Sequence, residues 1–143
     1  MSAGYRFLPH TTDAYVEAYG RTLEEAFAYA GLSLFDTLCN VDSISKSVSE
    51  DIQIEAGNES RLLYDWLEAL LLKFELEGKV YSSFDVRKIS NDGGSLKLHA
   101  TISGETYDKR RHGAKVEVKA VTFHRMEVLT NSNSVVLRFL LDL

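Results

Sequence analysis

Cysteine, proline and clustered positive charge are the scarce features of this chain. Cys39 stands alone among 143 residues, so no intrachain disulfide forms and no Cys-based metal cluster is possible; a reducing, cytoplasmic setting is the expectation. Pro9 is the one proline, and there is no Gly/Ser linker, low-complexity tract or repeat. Nothing therefore divides the chain, and residues 1–143 read as a single domain. No stretch approaches the roughly 18 to 20 apolar residues that cross a bilayer, because Asp65, Glu68, Lys73 and Glu75 interrupt the most apolar segment. Residues 1–10 have neither a basic start nor an apolar core and do not read as a signal peptide. Sixteen Lys and Arg face 21 Asp and Glu, for a net charge of -5. With no basic run to offset it, a high-affinity nucleic-acid groove is not expected, since neutralising phosphates takes clustered cations.

What the chain does have is two alternating hydrophobic periods. Residues 5–8 and 14–19 read as short strands around the connection 9–13, and Gly20 breaks the pattern. Thr22 with Glu25 three residues later forms a capping-box signature. Leu23, Phe27, Ala30, Leu34 and Leu38 then recur at helical spacing. A strand is expected over 48–54, followed by a second helix capped by Asn58 or Ser60, striped by Leu63, Trp66, Leu67, Leu70, Leu71 and Phe74, and stopped at Gly78. Strands are expected over 81–89 and 96–102, flanking the Asn91-Asp92-Gly93-Gly94 turn, and then over 116–121, 125–130 and 135–141. Two amphipathic helices and about eight strands cannot make regular βαβ alternation. They predict an α+β fold, with the helices packed on a largely antiparallel or mixed β-sheet layer.

Taken alone, the chemically capable residues leave several readings open. His10-Thr11-Thr12-Asp13 lies in a connection, where polar side chains reach a ligand or simply close a turn. Asp36 sits near the end of the first helix, against the dipole, and reads either as a solvated carboxylate or as one with another task. Asp142, beside the oxygens of Leu143, concentrates negative charge at an end that is equally readable as a solvated tail. A third carboxylate there would complete a hard-oxygen site suited to Ca²⁺ or Mg²⁺ rather than Zn²⁺. The four histidines show no metal spacing: His99 reads as a surface residue, His112 belongs to the basic loop Lys109-Arg110-Arg111-His112, and His124 ends a strand. No His-Glu-x-x-His, Cys-x-x-Cys or nucleophile elbow occurs.

As a set, the residues resemble the archease family. The resemblance begins at His10-Thr11-Thr12-Asp13 and continues through Tyr19-Gly20-Arg21-Thr22-Leu23-Glu24-Glu25-Ala26-Phe27 and Leu34-Phe35-Asp36. It extends through Trp66-Leu67 and Leu70-Leu71. Its most specific piece is Gly104-Glu105-Thr106-Tyr107-Asp108, then His112, then Val118-Lys119-Ala120-Val121-Thr122-Phe123-His124, and Asp142-Leu143 matches the family ending. Thr12 and Phe123 depart from the family's usual Ala and Tyr. The resemblance implies a non-catalytic activator of the GTP-dependent tRNA-splicing RNA ligase, one that promotes ligase guanylylation and multiple turnover. It implies a divalent cation, Ca²⁺ foremost with Mg²⁺ or Mn²⁺ admitted, held by Asp13, Asp142 and a main-chain or terminal oxygen of Leu143. Asp36 is implied only as support or as a ligase contact. Two other classes stay open: a metal-dependent hydrolase with Asp13 and Asp142 as ligands and His10, His112 or His124 as base, and a general chaperone with an exposed apolar patch.

Overall fold

The computed structural model of the chain describes residues 2–143. Its strands are all paired antiparallel, in two sheets. The first has the order β1-β2-β7-β6, built from β1 (Gly4–Leu8), β2 (Asp13–Gly20), β7 (Ser134–Asp142) and β6 (Ala120–Asn131). The second has the order β3-β5-β4, from β3 (Val48–Ala56), β5 (Ser95–Thr106) and β4 (Lys79–Asp92). Strand alternation places Val16 and Ala18 of β2, and Val135, Leu137, Phe139 and Leu141 of β7, in the core. Leu98, Ala100 and Ile102 of β5 supply the core face of the second sheet. The expected α+β class is what the chain adopts, with the sheet layer wholly antiparallel and divided in two.

Two long helices form the layer that both sheets share. The first, α1 (Leu23–Leu38), packs on β1, β2 and β7 and also on β4; the second, α2 (Glu59–Glu77), packs on β6 and on β3, β4 and β5. The Thr22 hydroxyl accepts from the Glu25 amide at 3.1 Å, while the Glu25 carboxylate accepts from the amide of Arg21, one residue before the cap. Asn58 is the cap of α2, accepting from Arg61 N at 2.8 Å. Gly78 ends α2 at φ 65°, its N–H returning to the Phe74 carbonyl, a conformation that disfavours side chains. Trp66 is fully buried, and its indole N–H donates to the Phe27 carbonyl at 2.9 Å, so the largest core side chain also ties the two helices together.

Two expected strands prove to be one. Residues 116–119 are irregular, and β6 begins at Ala120 and runs unbroken past 125. The register explains the apparent break: Thr122 pairs with Leu140 and the next pair is Glu127 with Arg138, so 123–126 bulge out against a single residue of β7. His124 therefore lies inside a strand rather than at its end. The Gly93-Gly94 turn is the tight hairpin expected, with φ of 65° and 91°. A four-residue helix, α3 (Lys109–His112), replaces the expected basic loop.

Candidate metal centre

The pairing of β2 with β7 sets Asp13 directly opposite Asp142. This is the last rung of the pair; the next rungs, Ala14 with Leu141 and Tyr15 with Leu140, alternate between faces. Asp13 and Asp142 thus share the face away from the core, with Cβ atoms about 5 Å apart in the geometry of directly opposed residues. The far edge of Asp142 pairs with Ala120 of β6, and its carbonyl accepts from Lys119 N at 2.7 Å. The acidic end is consequently held between two strands. Leu143, which follows it, packs its side chain against the core.

His10 approaches the same rung from the β1–β2 connection. Its Nδ1 lies 3.9 Å from Asp13 Oδ2, beyond hydrogen-bond reach, and this buried nitrogen has no partner. The imidazole meets the Tyr15 ring edge to face, with centroids 6.0 Å apart. Over Tyr15 stands the guanidinium of Arg125, 5.9 Å from the ring centroid. Arg125 is the one described non-glycine residue with positive φ, 60°, and it sits in the β6 bulge. Tyr15 and Arg125 were not legible as site residues, because their roles depend on a register and a bulge that one dimension does not display.

Directly behind this end, the outer face carries a rung of alternating charge across all four strands: Arg6, Glu17, Arg138 and Glu127. Glu17 is nearly buried, and each of its oxygens accepts from a guanidinium at 2.8 Å, one from Arg6 and one from Arg138. Burial would raise its carboxyl, but the bonds from Arg138 and Arg6 outweigh that and hold it below the usual carboxylate range. No equivalent cation stands between Asp13 and Asp142.

Other expectations change. Asp36 is not a free surface carboxylate: Tyr5 Oη donates to it at 3.0 Å and Lys115 Nζ at 2.8 Å, which ties β1, α1 and the 113–119 segment together. His112 is buried instead of solvated. Its Nδ1 accepts the Asp108 amide at 2.9 Å, leaving the ring proton on Nε2, 2.8 Å from Glu105. Both nitrogens are committed, so His112 is not available as a base. Glu105 also takes the Ser45 amide at 2.6 Å and Arg111; the Ser45 bond first, then His112, holds its carboxyl low. His99 lies on the outer face of β5, its Nε2 3.2 Å from Arg87. Among the described residues, no three His, Cys, Asp or Glu side chains already converge into a cage for an ion.

This arrangement sits on a chain that matches, over residues 5–143, the model of the archease protein family (MTH1598/TM1083). The chain belongs to the archease family. Among its relatives, the protein archease of Pyrococcus furiosus is 43% identical over 119 residues, covering 83% of each chain. That of Sulfolobus acidocaldarius is 32% identical over 139 residues, covering 97% of this chain and 98% of its own. The solution structure of Methanobacterium thermoautotrophicum protein 1598 superposes with a TM-score of 0.84 at 34% identity, covering 98% of this chain and 99% of the other. A Thermotoga maritima crystal structure, described as an archease and possible chaperone, shares the fold alone, at TM-score 0.61 and 17% identity over 96% of each chain. The archease match spans His10, Asp13 and Asp142, so the opposed pair lies within the part of the chain that defines the family. No helix of this archease is long and apolar enough to cross a membrane.

Proposed function

We propose that this archease is a cytoplasmic, non-catalytic activator of the GTP-dependent tRNA-splicing RNA ligase, and that it holds a divalent cation at the Asp13–Asp142 rung. The observation that carries this reading is the direct opposition of the two carboxylates. Like charges facing each other across a strand pair repel, and here no basic side chain intervenes. The donor set fits a cation: two carboxylate side chains with a main-chain oxygen of Leu143, hard ligands of the kind Ca²⁺ takes and Mg²⁺ or Mn²⁺ accepts. Such an ion supplies positive charge beside phosphoryl oxygens.

The chain's own residues would do the rest. The β2–β7 and β6–β7 pairings fix where Asp13 and Asp142 stand, and Lys119 N fixes the main chain at Asp142. The coordination positions facing away from the sheet remain for water or for the ligase. The net charge of -5 would keep the protein off the RNA while it works on the enzyme.

The test is ligase guanylylation from GTP with wild type, Asp13→Ala and Asp142→Ala, each first shown to be folded. Both variants are expected to lose most of the stimulation. Full stimulation by both would sink the proposal. Phosphoester turnover by the purified protein without ligase would favour a hydrolase instead.

A further inference from the structure

The unpartnered nitrogen of His10 has no explanation in the fold itself. A buried polar atom without a partner costs free energy, about 1–3 kcal/mol in mutational data, and native structures keep few of them. His10 Nδ1 is one of only two such side-chain atoms among the described residues, the other being the Tyr81 hydroxyl in the core. It is also the one beside an uncompensated carboxylate pair, 3.9 Å from Asp13 Oδ2. That separation is too long for a hydrogen bond and short enough for both atoms to bind one ion between them.

The imidazole is aimed there by packing. Tyr15 meets its ring edge to face, and Tyr15 lies two residues from Asp13 on the same face of β2. Arg125, at its strained φ of 60°, covers the Tyr15 ring. Backbone strain of this sort is seldom retained in an idle loop. We propose that His10 supplies a nitrogen ligand, through Nδ1, to the cation held by Asp13 and Asp142. Tyr15 and Arg125 serve as positioning residues that fix the ring. The inference rests on the Asp13–Asp142 reading and refines it. Because the three side chains do not yet form a cage, closure falls to the Asp142 side chain, which is exposed and free to rotate.

The consequence is selectivity. Oxygens alone suit Ca²⁺ and Mg²⁺, whereas imidazole nitrogen is a poor ligand for both and a good one for first-row transition ions. With His10 engaged, the site moves its preference toward Mn²⁺. Removing His10 should therefore weaken Mn²⁺ about tenfold, within the range of ligand-shell changes, while leaving Ca²⁺ nearly unchanged.

The experiment titrates MnCl₂ and CaCl₂ by calorimetry into the full chain, His10→Ala and Asp142→Asn, with thermal melts to establish folding. Pulsed EPR on the Mn²⁺-loaded proteins, with histidine ¹⁵N-labelled, reads the ligand directly. Wild type should show a directly bound imidazole nitrogen, and His10→Ala should lose both that signal and the Mn²⁺ preference. Mn²⁺ binding that needs Asp142 but shows no imidazole coupling would overturn the role of His10 and leave the carboxylate site standing. Coupling that persists in His10→Ala would overturn it too. Mn²⁺ and Ca²⁺ binding that ignores Asp142→Asn would overturn both readings.

Discussion

Asp13 and Asp142 face each other with nothing between them, so each makes the other costly. Asp142→Asn removes that repulsion. In the presence of a chelator the variant is expected to melt slightly above wild type, by about 2 °C for a cross-strand pair worth several tenths of a kcal/mol. Added cation should then raise the melting temperature of wild type but not of the variant, and differential scanning calorimetry checks both halves. A variant that melts lower in chelator would show that the pair is already compensated. The sequence displayed Asp142 as an acidic residue at a chain end and Asp13 as a turn residue; only the family resemblance joined them, because strand register is invisible in one dimension. Asp36 and His112 were misread for the same reason. Their partners Tyr5, Lys115 and Glu105 arrive from other elements, and a titratable side chain looks solvated until its partner is known.

At the level of elements, what was written locally was legible. Helix caps, the α2 stop and the Gly93-Gly94 hairpin each depend on a few adjacent residues, and each is where the pattern puts it. What failed was β6, where four bulged residues suspend the alternation and make one strand look like two. Gly104 is an instance of a constraint that only packing reveals. It lies in β5 opposite Tyr81, and a Cβ there would run into the Val80 carbonyl and the Tyr81 Cα. These are backbone atoms that cannot swing aside. Gly104→Ala is therefore expected to destabilise by about 3 kcal/mol, at the upper end of overpacking costs, measured by urea unfolding. An effect below about 0.5 kcal/mol, the scale of ordinary surface changes, would mean that β4 and β5 separate easily at this point.

Across the whole molecule the acidic balance is distributed with purpose: Glu17 is compensated twice and the Asp pair not at all. The Glu17 carboxyl is held below its unfolded value, so its contribution to stability is fully present above about pH 4.5. It is lost as pH falls through the lower folded value. Glu17→Gln should be less stable at pH 7 and should show a shallower loss between pH 4.5 and 2.5, followed by circular dichroism in urea. A variant with the wild-type acid profile would place the linkage elsewhere.

The rung that joins Glu17 to Arg138 spans 121 positions of sequence, and the Asp13–Asp142 pair just beyond it spans still more. During synthesis, β2 emerges long before the strand it must pair with, and until β7 arrives both β2 and β6 present open edges. The two halves of the cation centre therefore meet only when the last strand is inserted. An archease that has bound its ion has, by that fact, finished folding, so the partner enzyme would be offered the ion only by complete molecules.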